Sequence, residues 1–157
     1  MREIKFRGKR VSKHEYQYMY TQDNAEWAFG SLLVDIDNCY SIVNDHGGFR
    51  TCDEVIPETV GQFTGLRDSK RTPEYPEGQE NYDGDNIVCR KYIGGNFVKY
   101  SIEKGIVSFK DGAFYLLREQ GYYRPLSWLI EMDYELEVIG NIYDNPELVG
   151  DGPAEPA

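Results

Sequence analysis

Histidine and cysteine, two residue types prominent in active sites, are scarce in this chain. Among 157 residues there are two histidines, His14 and His46, and three cysteines, Cys39, Cys52 and Cys89. The cysteines are odd in number and far apart, and none falls in a Cys-x-x-Cys pair. That fits buried or half-buried thiols in a reducing compartment better than a disulfide framework or a zinc site. No apolar run approaches the 18 or so residues of a membrane-spanning helix. The first residues are charged from Arg2 onward without an apolar stretch behind them, so no secretory signal is expected and a cytoplasmic location is. Gly-x-x-x-x-Gly-Lys-Ser/Thr, the dinucleotide fingerprint, Gly-x-Ser-x-Gly and His-Glu-x-x-His are all missing, as is any internal repeat. Cations are also in deficit: 17 Lys and Arg stand against 27 Asp and Glu, a net charge of −10 that disfavours an ordinary nucleic-acid binder.

What the chain does have is aromatic residues and turn formers. Aromatics make up 14% of it, with 13 tyrosines, a bias towards strands. The clearest strand-rich stretch covers residues 82–117. Asp83-Gly84-Asp85-Asn86 is turn chemistry, and Ile87, Val88, Cys89, Tyr92 and Ile93 follow as a strand. Gly94-Gly95-Asn96 is a second turn. Val98, Tyr100 and Ile102 then alternate with Lys99, Ser101 and Glu103, which predicts an apolar face and a polar one. Gly105 is expected to interrupt that strand. Lys110-Asp111-Gly112 is a strong hairpin signal, with residues 113–117 as the return strand.

Upstream, Ile4, Phe6 and Val11 predict an opening strand with a bend at Gly8-Lys9-Arg10. Tyr16, Tyr18 and Tyr20 share one parity, a pattern commoner in half-buried sheet packing than in a stacking platform. Gln22-Asp23-Asn24 reads as a turn. Residues 26–35 read as a strand with Trp27, Phe29, Leu32 and Leu33 in the core and Gly30 at a bulge or close approach. Asp37-Asn38 is the turn to a partner strand at Tyr40, Ile42 and Val43; residues 44–48 read as a loop. Val55, Val60 and Phe63 flank an extended piece around Pro57-Glu58-Thr59. Residues 68–81, with two prolines and almost nothing apolar, are expected to be an exposed loop and the only internal boundary. Beyond Gln120-Gly121, residues 126–132 fit a short helix or a strand equally, and residues 135–143 read as a strand. One helical turn is expected in residues 144–148, with residues 150–157 as a flexible acidic tail.

Three constellations bear on chemistry. His46 lies in a glycine-bearing loop with Asp53 nearby, where an acid–base or metal site is conceivable, although loop histidines are usually only solvated. Asp35 and Asp37 share a strand parity but more plainly mark a strand entering a turn. Asp83-Gly84-Asp85-Asn86 lacks the twelfth-position glutamate of a calcium loop, where Gly94 stands. Arg2, Lys5, Arg7, Lys9, Arg10 and Lys13 form a basic opening against Glu3 alone, more simply read as a solvated edge pairing with the protein's own carboxylates than as a phosphate-contacting arm. No residue is therefore assigned a catalytic, cofactor-binding or metal-binding role, and no cofactor is expected.

Several segments together resemble the YopX family of phage and prophage proteins. They are Met-Arg-Glu-Ile-Lys-Phe-Arg-Gly-Lys-Arg at residues 1–10, Trp-Ala-Phe-Gly-Ser-Leu at 27–32 and Pro-Glu-Thr-Val-Gly-Gln-Phe-Thr-Gly-Leu-Arg-Asp at 57–68. Tyr-Asp-Gly-Asp at 82–85, Gly-Ile-Val at 105–107 and Asp-Gly-Ala-Phe at 111–114 continue the series. Glu-Val-Ile-Gly-Asn-Ile-Tyr-Asp-Asn-Pro-Glu-Leu at 137–148 closes it and is the most specific. The resemblance implies a mainly β protein with a small SH3-like barrel or roll of short antiparallel strands and little helix. It gives no molecular function and carries over no site residue. The expected organisation is one domain over residues 1–149, with a β lobe at about 1–67, the loop 68–81 and an SH3-like lobe at 82–149. Residues 74–81 lengthen the loop relative to the family pattern. The expected function is a non-catalytic interaction protein of the host cytoplasm, not an enzyme. Its expected partners are an unknown host or phage protein and further copies of itself, with no membrane. The alternative is a nucleic-acid-associated protein using the basic N-terminal segment.

Overall fold

The computed structural model describes residues 3–11, 26–94 and 99–148. The tyrosines at 16, 18 and 20, the turn at 22–24, His14 and the tail at 150–157 lie outside the described residues. The chain divides into two compact units, Met1–Phe63 and Thr64–Ala157. The division falls beside the last buried aromatic of the first unit, ahead of the 68–81 loop expected to mark it.

The first unit is an antiparallel meander. β1 (Phe6–Lys9), β2 (Trp27–Val34), β3 (Tyr40–His46) and β4 (Phe49–Val55) pair in sequence. A 3-10 turn at Pro57–Thr59 then leads into β5 (Gly61–Arg67), whose first residues return to β1 through Phe6↔Gln62 and Arg7↔Gly61. Its core is small: Ala28, Ile42 and Val55, with Phe6, Leu32, Tyr40 and Val60 against them. Gly8 and Lys9 lie inside β1 instead of bending, because any Cβ at Gly8 would meet the Val55 side chain at 2.9 Å and the strand passes flat over it. Residues 44–46 extend β3 rather than forming a loop, leaving Gly47-Gly48, both at positive φ, as a two-residue hairpin turn. Gly30 is a close approach as expected: a Cβ there would lie 2.2 Å from the Val43 carbonyl oxygen. Phe29 and Leu33, expected in the core, are 42% and 52% exposed. Leu32 packs on the core as expected, and Ala28 faces inward on the same parity, which the run of adjacent apolar residues does not single out.

The second unit takes the remainder of β5, which lies beside β6 (Glu80–Tyr82), and a five-stranded antiparallel sheet. Its order is β10 (Gly121–Pro125), β9 (Ala113–Arg118), β8 (Lys99–Lys110), β7 (Asp85–Ile93) and β11 (Glu135–Asn141). The expected barrel does not close. The chain between β10 and β11 forms the helix α1 (Leu126–Glu131), which lays Leu126 and Leu129 on the sheet face beside Ile87, Cys89, Val107, Leu116 and Leu136. A helix thus covers the apolar face, and β10 and β11 remain as edges. The ambiguous 126–132 segment is therefore helical. Asp111 at φ 50° and Gly112 at φ 83° form the expected hairpin turn between β8 and β9. Gly105 does not interrupt β8; it lets the backbone of β9 approach, since a Cβ would sit 2.4 Å from the Leu117 oxygen. A second 3-10 turn at Pro146–Leu148 ends the described chain.

Candidate interaction groove

The 68–81 segment is polar, as its composition demands, but it is tied down at both ends. Asp68 is only 4% exposed. Its Oδ1 accepts from the Gln79 amide at 3.1 Å and its Oδ2 from the Val138 amide at 3.3 Å. The next residue completes the edge: Ser69 Oγ accepts from the Leu136 amide, and the Ser69 amide donates to the Leu136 oxygen at 2.7 Å. Side chains therefore satisfy outward-pointing amides of β11, an edge that would otherwise be open to strand addition. Arg71 donates to the Asp68 carbonyl at 2.7 Å, and Gly78 adopts φ 91° where a Cβ would collide with that same oxygen.

Between these anchors the loop stands away from β11 and leaves a groove of about 370 Å³. Its far wall is the short turn Thr72-Pro73-Glu74-Tyr75. Thr72 and Tyr75 bond each other there: the Tyr75 amide donates to Thr72 Oγ1 and the Thr72 amide to the Tyr75 oxygen. That turn presents Tyr75, 39% exposed, on the rim. Partial burial, and then Glu74 beside it, push the Tyr75 phenol above its ordinary range, so it is a neutral hydrogen-bonding group at physiological pH. Glu137 lies on the β11 side. Arg90 donates to it at 2.5 Å and Lys70 lies 3.5 Å away on the loop side. The Arg90 hydrogen bond, reinforced by the charges of Arg90 and Lys70, holds the Glu137 carboxyl below the usual carboxylate range, although burial works the other way. A second hollow of about 270 Å³, lined by Ser69, Arg90 and Glu135 among others, shares Lys70 and Glu137 with the first. The two hollows form a shallow trough that mixes polar and apolar surface, with charged side chains along its floor and Tyr75 on its rim.

The residues singled out in the sequence fall elsewhere. His46 ends β3 opposite Phe49, whereas Asp53 pairs with Ile42, four register positions away, or about 13 Å of strand. Asp53 is buried and lies 3.4 Å from Arg10. Asp35 Oδ1 accepts from the amides of Asp37 and Cys39, so it braces the β2–β3 turn. Asp85, 1% exposed, accepts from the Tyr82 amide at 2.7 Å and from Asn81, bracing the β6–β7 turn. Among the described residues no group of three or more His, Cys, Asp or Glu side chains is placed to hold a metal ion.

Arg2 and Lys13 of the basic opening lie outside the described residues, and its four described cations are engaged within their own unit. Lys5 pairs with Glu3, Lys9 with Glu26 and Arg10 with Asp53. Arg7 is 6% exposed with its guanidinium 4.7 Å from the Trp27 ring centroid. Cys89 is a buried thiol as expected, whereas Cys39 and Cys52 are exposed.

The sequence marks the loop by its polarity, but nothing in it singles out Asp68, Tyr75 or Glu137. The one available signal was chemical: a stretch of fourteen residues with Asp-Ser at its start and Thr-Pro-Glu-Tyr in its middle is turn-forming, and so more ordered than its polarity implies.

Comparison with known proteins adds one finding. A family model described as "YopX protein" matches residues 5–150. No curated protein and no solved structure matches the chain. Among the described residues no helix is long and apolar enough to cross a membrane.

Proposed function

The chain belongs to the YopX family, and from that premise we propose that it is a phage- or prophage-encoded, non-catalytic interaction protein. It acts in the bacterial host cytoplasm, and its groove beside β11 takes an extended segment of a host or phage protein. The observation that carries this reading is the pinned loop. Asp68 and Ser69 fix both its position and the shape of the trough, so a partner meets a preformed surface and little ordering entropy opposes binding. The volume lies within the range of about 300–1,000 Å³ typical of ligand sites. Tyr75 on the rim supplies the kind of aromatic anchor that dominates interface energetics.

The SH3-like element of the family is better assigned to the first unit than to the second. The strand order β4-β3-β2-β1-β5, with a 3-10 turn between β4 and β5, supports that assignment. The nucleic-acid alternative is weakened because Lys5, Arg7, Lys9 and Arg10 are all engaged by neighbours within their own unit.

The test is a crosslinking pull-down of tagged protein from infected or prophage-induced cells, with and without nuclease. It compares wild type with a Glu74→Lys/Tyr75→Ser variant. A protein recovered despite nuclease and lost with the variant is the expected result. Recovery that depends on nucleic acid, or that ignores the variant, would overturn the groove reading.

A further inference from the structure

Three aromatic rings line one margin of the second unit's core face. Trp128 of α1 stands 6.4 Å from Tyr123 of β10 and 6.4 Å from Tyr134, just ahead of β11. Cations lie on these rings: Arg118 is 4.0 Å from the Tyr123 centroid, Arg124 4.8 Å from that of Trp128 and Lys91 5.9 Å from that of Tyr134. Glu103 neutralises Arg118 at 2.5 Å. Neither Arg124 nor Lys91 has an ion pair among the described residues. The result is a cationic, aromatic strip on a chain of net charge −10. Trp, Tyr and Arg are the side chains that concentrate binding energy at protein interfaces. Arg124 and Lys91, resting on these rings, call for an acidic, partly apolar complement.

The first unit carries such a complement at the tip of the β2–β3 hairpin. Ile36 is 98% exposed, and Leu33 and Val34 just before it are 52% and 45% exposed. Aspartates flank Ile36 on both sides. Asp35 is folded back onto the turn amides, and Asp37 is exposed. A fully exposed isoleucine beside two further exposed apolar side chains has no role in the unit's own core, and contiguous exposure of this kind marks contact surfaces.

We propose that the β2–β3 tip of one copy of the chain docks on the ring-and-cation strip of a second copy. Ile36 and Leu33 cover the rings, and Asp37 faces Arg124 and Lys91. The contact uses neither Tyr75 nor Glu137 and is independent of the groove. A hairpin tip buries less than the roughly 1,200 Å² of a stable interface. Association is therefore reversible, develops at micromolar concentrations and above, and weakens with added salt.

Sedimentation velocity over a micromolar to submillimolar series of the full chain tests this, with circular dichroism confirming that each variant folds. Wild type is expected to sediment faster as concentration rises. Ile36→Ser and Arg124→Glu each weaken association at least tenfold. The charge-exchanged double variant Asp37→Arg/Arg124→Glu recovers much of what Arg124→Glu loses. A wild type that stays monomeric throughout overturns the proposal. So does association that survives both single changes, or that is lost with Tyr75→Ser instead.

Discussion

Glu137 shows how one side chain can join structure to surface. Its carboxyl is held low chiefly by the hydrogen bond from Arg90. A carboxylate whose folded pKa is depressed contributes stability above its unfolded pKa, near 4.3 for Glu, and loses it as pH falls through the folded value. Arg90→Gln is thus expected to lower thermal stability at pH 6–7, and the deficit should shrink as pH drops below about 4. Melting curves across that range check the sign; a deficit that grows on acidification would contradict it. Asp68 should matter more, because its removal orphans the amides of Gln79 and Val138. Asp68→Ala is expected to cost roughly 2–4 kcal/mol in chemical denaturation. The thiols give a third expectation. Burial pushes Cys89 up to about 12, and carboxylates, Asp35 foremost, raise Cys39. In the folded protein a thiol reagent should modify Cys52 and, more slowly, Cys39, with Cys89 reacting only on unfolding. The buried Cys89 thiol fits the sequence expectation, but the roles of Asp68, Arg90 and Glu137 were not legible in it. Asp68, Arg90 and Glu137 are ordinary surface residue types, and only long-range register brings them together.

At the scale of elements, turn chemistry was the legible part. Asp37-Asn38, Asp83-Gly84 and Asp111-Gly112 all turn where their residue types require. Facing was not. Ile102 was expected on an apolar face, yet it is 38% exposed, while Val107, on the parity of Ser101 and Glu103, is fully buried. The cause is pairing: Ile87 and Cys89 point into the core, and their cross-strand partners Gly105 and Glu103 share that face. Glu103 is tolerated there because Arg118 meets it at the core's margin. The two kinds of glycine separate cleanly. Gly112 has φ 83° with open space around it, whereas Gly105 is crowded by the β9 backbone. Gly112→Ala should cost about 1–2 kcal/mol through backbone strain alone. Gly105→Ala should cost about 3 kcal/mol and loosen amide protection in β8 and β9. Equal costs for the two would show that the close approach at Gly105 is not real.

For the whole molecule, the family and the mainly β class could be read in advance because they rest on local motifs spread along nearly the entire chain. The division at Phe63 and Thr64 lies a few residues before the lobe limit of about residue 67 expected from the sequence, and the polar loop after it has its ends bonded into a sheet. The same loop is the best reason to read the protein as a binder. Asp68 and Ser69 anchor it to β11, and most of the rest of the loop, Tyr75 included, stays exposed around the trough. The most direct measurement is site-specific photocrosslinking in prophage-bearing cells. A photoreactive phenylalanine analogue replaces Tyr75 in one variant and Phe109, an exposed aromatic on the β8–β9 hairpin away from the groove, in another. A discrete, nuclease-resistant protein adduct formed from position 75 and not from position 109 is the expected result. Adducts that are the same from both positions, or that disappear with nuclease, would contradict a protein partner seated in the groove.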